Sequence, residues 1–157
     1  MSGSVILARA LHVLGVIIWI GGVAFVTAVL IPACGALSVD GPAQFERLER
    51  RFAWIARAMV LLVGVTGFYM MEQLDLWAMF SQARFWWLHA MVGVWTVFVI
   101  ILFIAEPLSH KQFADRLRRD PVGTFRIMRI MHWTLLGASL VAAAGAVAGA
   151  HGYAIFE

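Results

Sequence analysis

The sequence predicts an all-α polytopic membrane protein: a bundle of four transmembrane helices with both termini on the outer, periplasmic side. Three observations predict it. The chain is 62% hydrophobic and only 13% charged, with a mean hydropathy of +0.86, a balance foreign to soluble domains of 157 residues. Four apolar runs, at about 4–33, 53–74, 84–105 and 127–150, reach the roughly 20 residues that a spanning helix needs. Ten of the twelve Lys and Arg residues lie in or beside the two connections on the side away from the N terminus, which the positive-inside bias assigns to the cytoplasm. Residues 1–157 are expected to form one membrane domain, multi-pass, in a bacterial inner (plasma) membrane.

The first run contains ALHVLGVIIWIGGVAFVTAVLIPAC, residues 10–34. It lacks a basic leader and is longer than a signal-peptide core, so it reads as a spanning helix. IPAC at 31–34 is only faintly like a lipoprotein cleavage box. Pro32 and Gly35 close the run, and the single cysteine, Cys34, excludes an intrachain disulfide. A polar connection follows over 36–52, and its second half reads as an amphipathic helical start with Phe45, Leu48 and Phe52 at helical spacing. The second run carries Gly64 and Gly67, which permit close helix approach. A short loop with Glu72, Asp75 and Arg84 leads to the third run, FWWLHAMVGVWTVFVIILFIA, which Glu106 and Pro107 end. The next connection is the most basic part of the chain, and its Arg116, Arg118 and Arg119 read as a solvated or headgroup-facing cluster. The last run, rich in Ala and Gly with Ser139 mid-span, is built to pack closely.

This topology turns five histidines into depths. His12 lies about eight residues, or about 12 Å, inside the outer end of the first helix, and His89 roughly 7–8 Å inside the outer end of the third. Imidazole is costly at membrane depth and is retained there for use. Two imidazoles at matched depth on different helices suit the axial ligation of a b-type haem, although imidazole also suits copper, zinc or non-haem iron. Trp19 follows His12 by seven residues on nearly the same helix face. Gly93 and Thr96 share a face with His89 and leave room for a flat macrocycle. Trp19, Phe25, Tyr69, Trp86, Trp87 and Trp95 could line the pocket, although Trp86 and Trp87 read first as interfacial anchors. Arg9 and Arg84 are candidates to pair with haem propionates. His132, near the inner headgroups, and His151, at the outer end of the last helix, are weaker metal candidates, and His110 falls in the inner loop.

ALHVLGVIIWIGG resembles the first helix of the HemJ family, membrane proteins linked to protoporphyrinogen IX oxidation, and more loosely the CopD-type four-helix segment. FERLERRFAWIARAMVLLVGVTG is similar to that family's lead-in and second helix, and WLHAM at 87–91 to its WLHAK. The resemblance covers nearly the whole chain and implies a haem-binding four-helix fold in which His12 holds a ligand position and His89 matches a family histidine. Two departures weigh against the oxidase activity. Met91 stands where the family carries the lysine tied to it, and MHWT around His132 replaces the motif that opens the family's last helix.

The leading expectation is therefore a small membrane cytochrome binding haem b through His12 and His89, which moves electrons to or from a quinone or a redox protein. One alternative is a haem-dependent protoporphyrinogen IX oxidase. Another is a CopD-like copper-handling protein drawing on His12, His89, Met70, Met71 and Met91, since thioether and imidazole suit copper. A subunit that only packs within a larger complex is a fourth reading. The lipid bilayer is the expected surrounding, a homo-oligomer is open, and nucleic acid is not an expected partner.

Overall fold

The computed structural model describes residues 2–35 and 41–152. They form four long helices and, among the described residues, no strand: α1 (Gly3–Gly35), α2 (Gly41–Gln73), α3 (Ala83–Arg119) and α4 (Pro121–Ala150). All four are long and apolar enough to cross a bilayer, which makes the chain a multi-pass membrane protein with an all-α bundle. Four helices in succession bring Ser2 and Gly152, the first and last described residues, to one end of the bundle, the terminal end. The opposite end carries the cationic segments and is the basic end.

At 33 residues each, α1 and α2 run to about 50 Å, well beyond a hydrocarbon core of about 30 Å. The excess lies at the basic end. The stretches expected as polar connections are largely helical there: α2 already begins at Gly41 and α3 continues to Arg119. Charge marks where these helices leave the membrane, not where they stop. The amphipathic reading of 41–52 holds, with Phe45 wholly buried and Leu48 and Phe52 packed beside it. Residues 36–40 of that connection lie outside the described residues.

The break between α3 and α4 is a single residue. Asp120 has φ −140° and ψ 78°, and its Oδ1 accepts from the Gly123 N–H at 2.9 Å, capping α4 just ahead of Pro121. A proline forces the residue before it out of the helical region and is well tolerated in the first turn of the next helix.

Two helices contain a π turn, Val26–Leu30 in α1 and Ile101–Ala105 in α3. Each ends two residues before a proline, Pro32 or Pro107. The proline ring lacks an N–H and crowds the carbonyl four residues back, which lies inside the π turn in both cases. The helices thus run through the prolines expected to end them and absorb the defect as a wider turn.

The bundle is two packed pairs. α1 lies along α2, and α3 along α4, whereas α1 meets α4 and α2 meets α3 more sparsely. Small residues set both pairings. A Cβ on Gly15 would come within 2.9 Å of Val63, and one on Gly145 within 2.7 Å of Trp86. Trp19, Val23, Val60, Val63, Phe98 and Leu136 join the pairs at mid-depth, and a second cluster around Val26, Cys34, Phe45, Leu117 and Phe125 seals the basic end. Arg57 of α2 ties to α3 there: its Nη2 lies 2.9 Å from Glu106 Oε1, and its Nε donates to the Leu102 carbonyl at 3.0 Å. That carbonyl belongs to the π turn of α3.

Candidate functional site

Sealed at mid-depth and at the basic end, the pairs part at the terminal end around a cavity of about 580 Å³. That volume is in the range of cofactor and small-molecule sites. α1 contributes Arg9, His12, Val16 and Trp19. α2 contributes Gly64, Gly67, Met70 and Met71. Leu88, Met91, Val92 and Trp95 come from one face of α3, and Ala142, Ala143 and Ala146 from α4. Leu76 and Phe80, from the connection before α3, also line it.

His12 is its most informative side chain. Nδ1 lies 3.0 Å from the Val63 carbonyl and 3.1 Å from Thr66 Oγ1. A carbonyl only accepts, and the Thr66 hydroxyl already donates to the Leu62 carbonyl at 2.6 Å. In the neutral ring the proton therefore sits on Nδ1, donated to these acceptors, and Nε2 keeps its lone pair. With Nδ1 tied to α2, Nε2 lies on the ring edge turned away from that contact and has no protein partner among the described residues. Gly67 makes the approach possible, since a Cβ there would stand 3.2 Å from His12 Cε1 and 3.5 Å from Nδ1.

The deep end is aromatic. Trp19 is 3% exposed and meets Phe98 edge to face at 4.8 Å, with its Nε1 buried and unpartnered among the described residues. Trp95 reaches from α3 to donate Nε1–H to the Val60 carbonyl of α2 at 2.9 Å, and its ring fills the space left by Gly64. Arg9 is the one charged residue on the lining and has no carboxylate partner among the described residues.

Of the residues expected at the site, His12, Trp19 and Arg9 come together on this cavity, joined by Trp87 and Trp95. His89 does not join them. It is exposed, its Nε2 donates to the Phe80 carbonyl at 3.1 Å, and its ring packs edge-on against Phe80, itself a cavity residue. Gly93 and Thr96 share the outward face of α3, with nothing within 4 Å of a Cβ at Gly93 and the Thr96 hydroxyl bonded to its own helix. Matched depth brought His12 and His89 together on paper, but the α3 helix turns its Leu88–Met91–Trp95 face inward instead. Arg84 is exposed over the Phe85 ring, and Phe25 and Tyr69 face outward. His132 and His151 each bond a carbonyl one turn back in α4, Met128 and Val147. Among the described residues no three His, Cys, Asp or Glu side chains gather as a metal-binding group.

Thr66 and the Val63 carbonyl, which hold His12, were not foreseen, and neither was the alanine wall of α4. A backbone acceptor has no signature in sequence. Gly64 and Gly67, noted only for close packing, were the available signal. No family model, curated protein or solved structure matches the chain.

Proposed function

We propose that the protein is a small membrane cytochrome of a bacterial inner membrane, holding haem b in the cavity at the terminal end with His12 Nε2 as an axial ligand. The supporting observation is the fixed tautomer of His12. A ligating histidine commonly donates its other ring N–H to a carbonyl, which orients the ring and raises its basicity, and the Val63 carbonyl and Thr66 stand in that relation to His12. The rest of the cavity suits a flat, apolar macrocycle with an acidic edge: the small α4 alanines leave room, Trp87 and Trp95 offer aromatic walls, and Arg9 offers a cation for a carboxylate. Haem would supply a one-electron carrier, with a quinone or a redox protein as exchange partner. The protein's own residues would orient the ligand imidazole, exclude water with apolar walls, and neutralise charge at Arg9. The pairing with His89 draws no support from its placement behind Phe80.

The test is the dithionite-reduced minus oxidised spectrum of protein purified from haem-replete cells. The expected result is b-type bands at one haem per chain, lost in His12→Ala and kept in His89→Ala. A colourless wild-type preparation, or a His12→Ala variant with an unchanged spectrum, would overturn the reading.

One observation favours a second reading, copper handling: Met70, Met71 and Met91 line the same cavity as His12, and thioether with imidazole is a soft donor set. Stoichiometric copper in a haem-free preparation would select it.

A further inference from the structure

The proposed haem site leaves the second axial position to be assigned, and the donor atoms around the cavity narrow the choice. Four side chains there carry a nitrogen or sulfur lone pair able to bind iron: His12, Met70, Met71 and Met91. Ser139 also lines the cavity, but its hydroxyl is held 2.7 Å from the Leu135 carbonyl in its own helix. His12, Met70 and Met71 all belong to the α1–α2 pair, on one side of the cavity. A ligand facing His12 across the cavity would come from the other helix pair. Met91 alone of the three thioethers lies there, on the face of α3 that also presents Leu88, Val92 and Trp95 to the cavity. Its side chain is half-buried, not locked in the core, and an unbranched thioether adapts its reach readily.

We infer that Met91 Sδ is the second axial ligand, so that the site is a His–Met one. The inference rests on the haem reading of the cavity. It names the residue that completes the coordination and makes the site low-spin and six-coordinate. Thioether in place of a second imidazole raises the reduction potential, so the protein would serve as a comparatively oxidising one-electron carrier.

The experiment uses the full chain in detergent, purified with its haem, as wild type and as Met91→Leu, Met91→His, Met70→Leu and Met71→Leu. The readouts are spin state by visible and electron paramagnetic resonance spectroscopy, carbon monoxide binding to the reduced protein, and equilibrium potential. Wild type is expected to be low-spin and closed to carbon monoxide. Met91→Leu should retain haem, become high-spin, bind carbon monoxide and shift to a lower potential. Met91→His should restore the low-spin state at a potential below wild type. The Met70 and Met71 variants should match wild type. A Met91→Leu protein with unchanged spin state and potential would overturn the assignment while leaving the haem reading intact, as would a wild type that is already high-spin. Colourless wild-type protein would overturn both.

Discussion

The approach of His12 to α2 depends on what Gly67 lacks. With a Cβ there 3.2 Å from Cε1, Gly67→Ala would push the imidazole back by a few tenths of an ångström and lengthen its 3.0 Å contact with the Val63 carbonyl. Alanine is the better helix former by about 1 kcal/mol, so the apoprotein should unfold no earlier than wild type. Haem affinity should nevertheless fall about tenfold, the low end of what disturbing such a supporting hydrogen bond costs. Haem titration alongside thermal unfolding of the apoprotein would separate the two effects, and undiminished affinity would argue against the anchoring role. His12 itself was legible in sequence because a lone imidazole within an apolar run stands out. Its anchor was not, because the acceptor is a main-chain carbonyl. His89 misled because depth can be counted along a helix, but facing depends on how neighbouring helices pack.

Between elements, one guanidinium supplies the charged tie of α2 to α3 at the basic end. Arg57 pairs with Glu106 while also satisfying a carbonyl in the π turn of α3, and the two side chains are 16% and 23% exposed. Arg57→Leu leaves both acceptors without this donor and should cost about 2 kcal/mol, in the range of hydrogen bonds to charged groups. Adding Glu106→Gln should cost less than the sum of the single changes, since both remove the same contact. Denaturant unfolding in detergent would measure this, and additive effects would mean that the contact contributes nothing. The helices themselves were legible from their apolar runs, but their ends at the basic end were not. Arg and Glu in Gly41–Gln73 and Ala83–Arg119 reflect the environment outside the bilayer and leave helical backbone intact.

Across the whole molecule, the sequence was most informative about class. Four apolar runs became four spanning helices, and large apolar side chains such as Leu7, Ile17, Val65 and Val147, all at least 60% exposed, are suited to lipid contact. Composition could not reveal that the helices associate as two pairs parted at one end, because that follows from which side chains each glycine faces, Val63 at Gly15 and Trp86 at Gly145. The proposed orientation rests on the distribution of cations. Alkaline phosphatase fused after Glu157 should be active and a fluorescent protein there dark, with the reverse pattern for fusions at Asp120, in the break between α3 and α4. The opposite outcome would place the cavity on the cytoplasmic side.

The π turns have one more consequence, which concerns phase. Each takes up about one residue without its usual 100° of rotation, so the two halves of the helix stand about 100° from where plain α-helix would set them. In α3 this lets Leu88 and Trp95 face the cavity while Phe113 and Leu117, beyond the turn, face the apolar cluster at the basic end. A chain one residue shorter within Ile101–Ala105 could close into uninterrupted α-helix with its two faces in the same relative directions, whereas the full-length chain wound as plain α-helix would turn them about 100° apart from those directions. The wide turn acts as a vernier between the register that faces the cavity and the one that faces the apolar cluster at the basic end.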